Sequence, residues 1–254
     1  MIDIHCHILP GVDDGPTTLE ESLMMAREAV NEGIKTIIAT PHHRNNRYEN
    51  NKEQILQHVS NLNEVLVKEN IPLSILPGQE NRIFGEVLED YRNGEILTLN
   101  NSKYLFIEFP TASVPKYADR LLYEIQIEGL TPIIVHPERN KEILENPDIL
   151  YNLVNNGALT QVTAASILGY FGKSIKKFSK KLVESNLTHF LASDAHNTHN
   201  RTFALNNAFE LIREDFGMDY VYLFMENADK VITDSAIYKE IPLVIKKKRF
   251  FGIL

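Results

Sequence analysis

The chain opens on Ile2-Asp3-Ile4-His5-Cys6-His7, a short run that ends in two histidines one residue apart. On an extended strand side chains alternate, so His5 and His7 share one face and Cys6 takes the other. The pattern recurs along the chain. Tyr104-Leu105-Phe106-Ile107 runs into Glu108, Ile133-Ile134-Val135 into His136, and Leu191-Ala192-Ser193 into Asp194-Ala195-His196, whose spacing repeats that of the opening pair. Ile37-Ile38-Ala39-Thr40-Pro41 leads to His42, nearer the strand end than its rival His43. Leu76-Pro77-Gly78-Gln79 leads to Glu80, and Gly78 suits a close backbone approach. In the turn Gly11-Val12-Asp13-Asp14-Gly15-Pro16 we take Asp13 as the turn-making residue and Asp14 as the one pointing inward.

These apolar runs read as strands over Ile2–His5, Thr36–Ala39, Ser74–Leu76, Tyr104–Glu108, Pro132–His136, Thr160–Thr163 and Phe190–Ser193. Between them lie amphipathic stretches: Leu19–Asn31, Asn51–Lys68, Tyr117–Glu128, Pro147–Asn155, Ser174–Ser185 and Arg201–Phe216. Thr17-Thr18-Leu19-Glu20-Glu21 carries the capping residues and early acids of a helix start. Such alternation argues for βα units around a parallel sheet, with each strand followed by a helix. Every strand but Thr160–Thr163 delivers a candidate ligand at its carboxyl end, the edge where parallel α/β folds build active sites. A closed barrel gathers residues from both ends of the chain more readily than an open sheet does. The expectation is therefore a single α/β domain over residues 1–245, a distorted barrel of seven βα units, followed by a basic-aromatic tail over 246–254.

At 254 residues the chain has the length of one such barrel. Its formal charge is −8, from 34 acidic and 26 basic residues, which disfavours general nucleic-acid binding. Three divalent ions would add about +6, so much of the acidic excess can belong to a site. The single cysteine, Cys6, excludes an internal disulfide and suits a reducing compartment. No secretory signal and no apolar stretch of membrane-spanning length is visible, so a cytoplasmic protein without a transmembrane segment is expected.

Each candidate also has an ordinary use. A lone His136 would be a satisfied core residue, Glu108 could face a buried arginine, and most arginines make surface ion pairs. Together, imidazoles and carboxylates at strand ends point to metal binding. His5, His7, Asp14, His42, Glu80, Glu108, His136, Asp194 and His196 are too many ligands for one ion and suit two or three. Mixed nitrogen and oxygen donors suit Mn²⁺, Fe²⁺, Zn²⁺ or Co²⁺, and the lack of a second cysteine excludes a thiolate-rich structural zinc site. Neighbouring ions about 3.5–4 Å apart can hold a hydroxide that attacks phosphorus. Arg139 and Arg201 follow His136 and His196 closely and offer bidentate forks for phosphate.

The segments Met1–Pro10, Asp13-Asp14-Gly15, Ala39-Thr40-Pro41-His42-His43, Pro77-Gly78-Gln79-Glu80, Leu105–Pro110, Ile134–Arg139 and Ala192–Asn197 together resemble the polymerase and histidinol phosphatase (PHP) superfamily. The resemblance is closest to its metal-dependent bacterial protein tyrosine phosphatases of the CpsB/YwqE type, and it covers nearly the whole chain. It implies a distorted seven-stranded barrel with three metals, most often manganese. One ion would take His5, His7, Glu80 and Asp194; a second Glu80, Glu108 and His136; a third Asp14, His42 and His196. Arg139 and Arg201 would hold phosphate. The implied substrate is phosphotyrosine on the Tyr-rich tail of a bacterial tyrosine kinase and on its targets, with capsule or exopolysaccharide synthesis under its control.

No cysteinyl-phosphate route is open: the residue six beyond Cys6 is Val12, so the Cys-x₅-Arg arrangement is absent. A tyrosine ester leaves as a phenolate of pKa about 10, so no general acid is assigned. Alternatives are a histidinol-phosphate or other small-phosphomonoester phosphatase, a polymerase-linked exonuclease, and a non-catalytic kinase-binding scaffold. The tail Lys246-Lys247-Lys248-Arg249-Phe250-Phe251 is basic then aromatic; most such tails are solvated, and weak contact with a membrane or an acidic partner is its functional reading.

Overall fold

The computed structural model describes residues 1–245. The basic-aromatic tail lies outside the described residues, as does any membrane or partner contact through it. Among the described residues nine strands run in chain order: β1 Ile2–Cys6, β2 Thr36–Ala39, β3 His42–His43, β4 Ser74–Pro77, β5 Glu80–Arg82, β6 Tyr104–Glu108, β7 Thr131–Val135, β8 Leu159–Thr163 and β9 Phe190–Ala192. The helices are α1 Leu19–Asn31, α2 Lys52–Lys68, α3 Val87–Arg92, α4 Ala118–Ile127, α5 Lys141–Glu145, α6 Asp148–Asn155, α7 Ala164–Leu168, α8 Lys173–Glu184, α9 Leu205–Phe216 and α10 Met218–Ile232.

All pairings are parallel, in the orders β1-β2-β4 and β3-β5-β6-β7-β8-β9. The two orders are one circuit. β2 and β3 are a single run broken at Thr40-Pro41, and β4 and β5 a single run broken at Gly78-Gln79. Counted this way there are seven strand positions, as the sequence leads one to expect. The circuit closes between β9 and β1 through Asp194 N donating to His5 O and His7 N donating to Ala195 O, both 2.9 Å. Asp3 reinforces the seam: its buried carboxylate accepts from Ser193 N (3.0 Å) and from the Ser193 hydroxyl.

Alternation along the strands makes two cores. Ile4, Ile38, Tyr104, Phe106, Ile133, Val135, Leu159 and Phe190 fill the barrel interior, and Ala228 and Val231 of α10 pack into it. Leu105, Ile107, Ile134, Val162 and Leu191 face outward against the helices. Cys6 belongs to that outer core, on the side away from His5 and His7. A register shift in β1 between Asp3 and Cys6 lets Ile4 join the inner core while His5 faces the barrel mouth.

The helix starts follow capping chemistry. Thr18 and Glu21 form a reciprocal box at α1, and Asn51 and Gln54 do so at α2, which makes Asn51 the cap and not the first helical residue. The expected regular alternation is less even than it reads. The helix after β4 and β5 is only α3, the stretch expected as helix from Arg201 begins at Leu205, and α10 follows α9 directly. The strands expected to reach His136 and Ser193 stop at Val135 and Ala192. Just beyond them His136 (φ 34°) and Asp194 (φ 55°) take left-handed backbone, which ends strand pairing.

Gly78 bridges the two halves of the third strand position against a crowded wall. A Cβ there would lie 2.6 Å from Ile38 Cγ2 and 3.1 Å from Leu99 Cδ2, both buried in the inner core. Gly78→Ala should therefore cost about 1–3 kcal/mol through overpacking, read as a lowered thermal midpoint; an unchanged midpoint would show that the barrel wall yields freely.

Candidate metal centre

The barrel mouth gathers every residue singled out from the sequence. His5 and His7 come from β1 and the turn after it, His42 from β3, Glu80 from β5, Glu108 from the end of β6, and His136, Asp194 and His196 from the residues that follow β7 and β9. His5 Nε2 and His7 Nε2 lie 3.4 Å apart. Glu80 Oε2 stands 3.5 and 3.2 Å from those two nitrogens, and Asp194 Oδ1 stands 3.5 and 3.4 Å from them. Donors held about 2.1 Å from one cation are spaced roughly 3.0–3.4 Å from each other, so these four atoms bound a cage of ionic size. On one side Asp14 Oδ1 lies 3.4 Å from His42 Nε2 and 3.2 Å from His196 Nε2. On the other His42 Nδ1 lies 2.9 Å from Glu80 Oε2 and 3.9 Å from Glu108 Oε2.

Several of these atoms are buried without a hydrogen bond: Glu80 Oε2, Glu108 Oε2, Asp194 Oδ1, His196 Nε2 and His42 Nδ1. Buried polar atoms are normally satisfied, and orphans clustered among other donor atoms in this way are what cations would complete. The rings are also held from behind. Asp13 Oδ2 accepts from His7 Nδ1 (2.6 Å), Gln161 Oε1 lies 2.9 Å from His5 Nδ1, and the Asp194 carbonyl accepts from His196 Nδ1 (2.9 Å). A proton fixed on Nδ1 turns the Nε2 lone pair toward the centre, the usual arrangement behind metal-bound histidine. The residues present therefore fit divalent cations.

A sequence model of the family described as capsular polysaccharide synthesis, CpsB/CapC, matches residues 1–233. The chain belongs to this family. It is 49% identical over 252 residues to the tyrosine-protein phosphatase YwqE of Bacillus subtilis, covering 99% of both chains. It superimposes with a TM-score of 0.95, at 49% identity over 97% of this chain and 100% of the other, on a chain from the crystal structures of YwqE from Bacillus subtilis and CpsB from Streptococcus pneumoniae, metal-dependent tyrosine phosphatases. A histidinol phosphate phosphatase from Lactococcus lactis, at 12% identity, shares the fold alone, with a TM-score of 0.55 over 84% of this chain and 94% of the other.

In this CpsB/CapC chain the donor atoms cluster as His7, Asp14, His42 and His196, as His5, His7 and Glu80, and as His42, Glu80 and Glu108. Glu108 gathers with Glu80 and His42, whereas His136 bonds the other Glu80 oxygen, its Nε2 2.7 Å from Oε1. Glu108 also meets the arginine that its ordinary use calls for: Arg82 Nη2 lies 3.3 Å from Oε2. Both expected phosphate-holding arginines reach the site through Asp194. Arg139 Nη1 donates to Asp194 Oδ2 (2.6 Å), as does Arg201 Nη2 (3.1 Å), and Arg201 Nη1 donates to Asp14 (3.3 Å). This leaves Asp194 Oδ1 for the central cage and further guanidinium donors at the mouth.

The sequence reading missed the holders. Asp13 does cap its turn, accepting from Gly15 N, but it also anchors His7 and the His42 backbone. β8, the strand without a candidate ligand, supplies Gln161. A polar residue amid Leu159 and Val162 was the available signal. Glu138 is fully buried and accepts from Thr163 and Ser166, tying the His136–Arg139 turn to β8 and α7.

Where no cation balances these carboxylates, protons do. Burial opposes a charged His42 ring, but Glu80 and Asp14 override it and push its pKa up to about 10. Burial likewise opposes a charged His7, and Asp13, Asp194 and Glu80 raise it well above the ordinary range. Burial and the Glu80 charge push Glu108 up to about 7, while burial, with Arg139 and His7 respectively, lowers His136 and His196 to about 4. His42 thus binds a proton on folding between its ordinary 6.5 and about 10. Its stabilisation is complete below the lower value and fades as pH rises toward the upper. His136 and His196 act in the opposite sense, but only below their ordinary value of 6.5. From pH 7 to 9.5 chelator-treated protein should therefore lose up to about 1.4 kcal/mol per pH unit from His42 alone, with His7 adding to the loss in the same direction, seen as a falling thermal midpoint. Protein loaded with Mn²⁺ should lose less; parallel slopes for the two forms would contradict this account.

Proposed function

We propose that this chain is a metal-dependent protein tyrosine phosphatase, a phosphoric monoester hydrolase of capsular polysaccharide synthesis. The observation that carries the chemistry is the set of His5 and His7 ring nitrogens 3.4 Å apart, each 3.2–3.5 Å from Glu80 Oε2 and from Asp194 Oδ1, two buried oxygens without a hydrogen bond. The choice of phosphotyrosine rests on family membership and on likeness to YwqE along its whole length.

His5, His7, Asp14, His42, Glu80, Glu108, His136, Asp194 and His196 would hold three divalent ions, with Mn²⁺ first and Fe²⁺, Co²⁺ or Zn²⁺ as other fits to the nitrogen and oxygen donors. Bound there, such ions acidify a water molecule and neutralise charge on the phosphoryl group. The protein's own share is placement. Arg139 and Arg201, fixed on Asp194, offer their remaining N–H groups to phosphoryl oxygens. Asp13 and Gln161 keep the His7 and His5 rings in one orientation, so these two rings are already turned toward the centre. The leaving phenolate, of pKa about 10, needs less protonation than an alkoxide, and we assign no protein acid to it. Cys6 takes no part: it is fully buried in the outer core, and burial pushes its thiol well above the ordinary range.

The substrate we assign is a phosphotyrosine protein, first a bacterial tyrosine kinase and its targets, in the cytoplasm. No helix among the described residues is long and apolar enough to cross a membrane. We assign catalysis to residues 1–245 and none to the tail.

The test is hydrolysis of a phosphotyrosine peptide beside histidinol phosphate. Chelator should abolish peptide turnover and Mn²⁺ restore it, Cys6→Ala should stay within about twofold of the parent, and Asp194→Ala should lose about 100-fold or more. A folded, metal-loaded Cys6→Ala protein without activity would sink the mechanism, and preferred turnover of histidinol phosphate would sink the substrate. Asp13→Asn should weaken Mn²⁺ affinity by about 10–100-fold, measured by calorimetric titration, and should also lower the thermal midpoint of the metal-free form through the lost His7 pair.

A further inference from the structure

Helix α8 reads Lys173-Ser174-Ile175-Lys176-Lys177-Phe178-Ser179-Lys180-Lys181-Leu182-Val183-Glu184, five lysines and one acid in a chain whose net charge is −8. Its buried stripe, Phe178, Ser179, Leu182 and Val183, accounts for its packing but not for its charge. The lysines begin in the first turn, where Gly172 provides no side-chain cap and no acid is present. The helix dipole disfavours cations there. Helices α1, α2, α4, α6 and α10 all carry acids in that turn. Lysine at the start of α8 therefore works against the stability of the helix.

Two of the five lysines have partners: Lys180 pairs with Asp215, and Lys176 donates to the Leu168 carbonyl. Lys173 and Lys177 are exposed and, with Lys181, make no ion pair among the described residues. They follow one another at four-residue spacing, a stripe about 12 Å long at 1.5 Å per residue. The stripe starts at the mouth of the site. Phe171, two residues before Lys173, lies under the Arg139 guanidinium, 5.3 Å from Cζ to the ring centroid, and α8 packs against the Pro137–Arg139 turn. The lone acid, Glu184, stands at the far end.

We propose that Lys173, Lys177 and Lys181 form a docking strip for an acidic segment beside the phosphotyrosine of the protein substrate. This rests on the phosphatase reading and adds how the enzyme selects its substrate. Charge complementarity favours this occupant: an acidic protein repels an acidic partner except where such a strip lies. The spacing fits as well. Lysines about 6 Å apart match alternate residues of an extended peptide, which rises about 3.4 Å per residue.

The experiment uses the full, Mn²⁺-loaded chain with three substrates: a phosphotyrosine peptide flanked by Asp and Glu, the same peptide with Asn and Gln in their place, and free phosphotyrosine. At about 50 mM salt the parent should favour the acidic peptide about tenfold in kcat/KM, mostly through KM, and lose most of that preference at about 0.5 M salt. The triple variant Lys173→Glu/Lys177→Glu/Lys181→Glu should lose the preference while turning over free phosphotyrosine within about twofold of the parent. The triple Gln variant serves if charge reversal disturbs folding. Fluorescence anisotropy of the acidic peptide reads docking without turnover. Lysine-dependent binding without hydrolysis would count against the phosphatase reading and for the strip. A parent without preference, or a variant that keeps it, would overturn the proposal. So would lysine-dependent sedimentation with phosphatidylserine vesicles alongside an unmoved peptide preference, which would assign the strip to a membrane.

Discussion

Two backbone hydrogen bonds, Asp194 N to His5 O and His7 N to Ala195 O, join the first strand to the last and close the barrel. The site depends on that seam. It places the Asp194 carboxylate against the His5 and His7 rings, residues from opposite ends of the chain, and it brings Arg201 within reach of Asp14. Asp3 is buried under the seam and bonds Ser193. Burial, only partly offset by Ser193, raises its carboxyl to about 6. Its bonds partly offset the cost of burial and cross the junction between the first and last strands.

Electrostatics decide the state of the pocket. Carboxylates packed against one another repel in a low-dielectric interior, and positive charge must be drawn in from somewhere. Arg139, Arg201 and Arg82 provide some of it from the rim, each through a bond to Asp14, Glu108 or Asp194. Protons on His7 and His42 provide more, and cations in the same positions would displace those protons. Backbone strain is stored here as well: His136 and Asp194 both sit in the left-handed region, which carries a cost for residues other than glycine. The barrel affords it because hydrogen bonds fix both, His136 N to Gln161 O and Asp194 N to His5 O.

Much of this was legible beforehand. Apolar runs ending on histidine or acid mark strand ends because a buried strand tolerates a charged residue only where it leaves the core. The same reasoning chose His42 over His43: the structure places His42 between Asp14 and Glu80, and His43 in no group that could hold an ion. Less legible were Asp13, Gln161 and Glu138, which act by holding other side chains. Their roles depend on distances across the barrel, and nothing in local spacing reports those. α10 escaped notice for a related reason: its Ala228 and Val231 bury against the barrel interior, a partner that does not exist until the sheet closes.

Residue types and their periodicity indicated the parallel βα plan, favoured a closed barrel over an open sheet, and picked out the set of residues that meet at its mouth. Those features follow from side-chain alternation and from the cost of burying charge, which act locally along the chain. Which oxygen of Glu80 faces which ring, the pairing of Glu108 with His42 and Arg82, and the convergence of two arginines on Asp194 were decided by the folded barrel. Angles and separations between strands exist only once all seven positions have closed on one another.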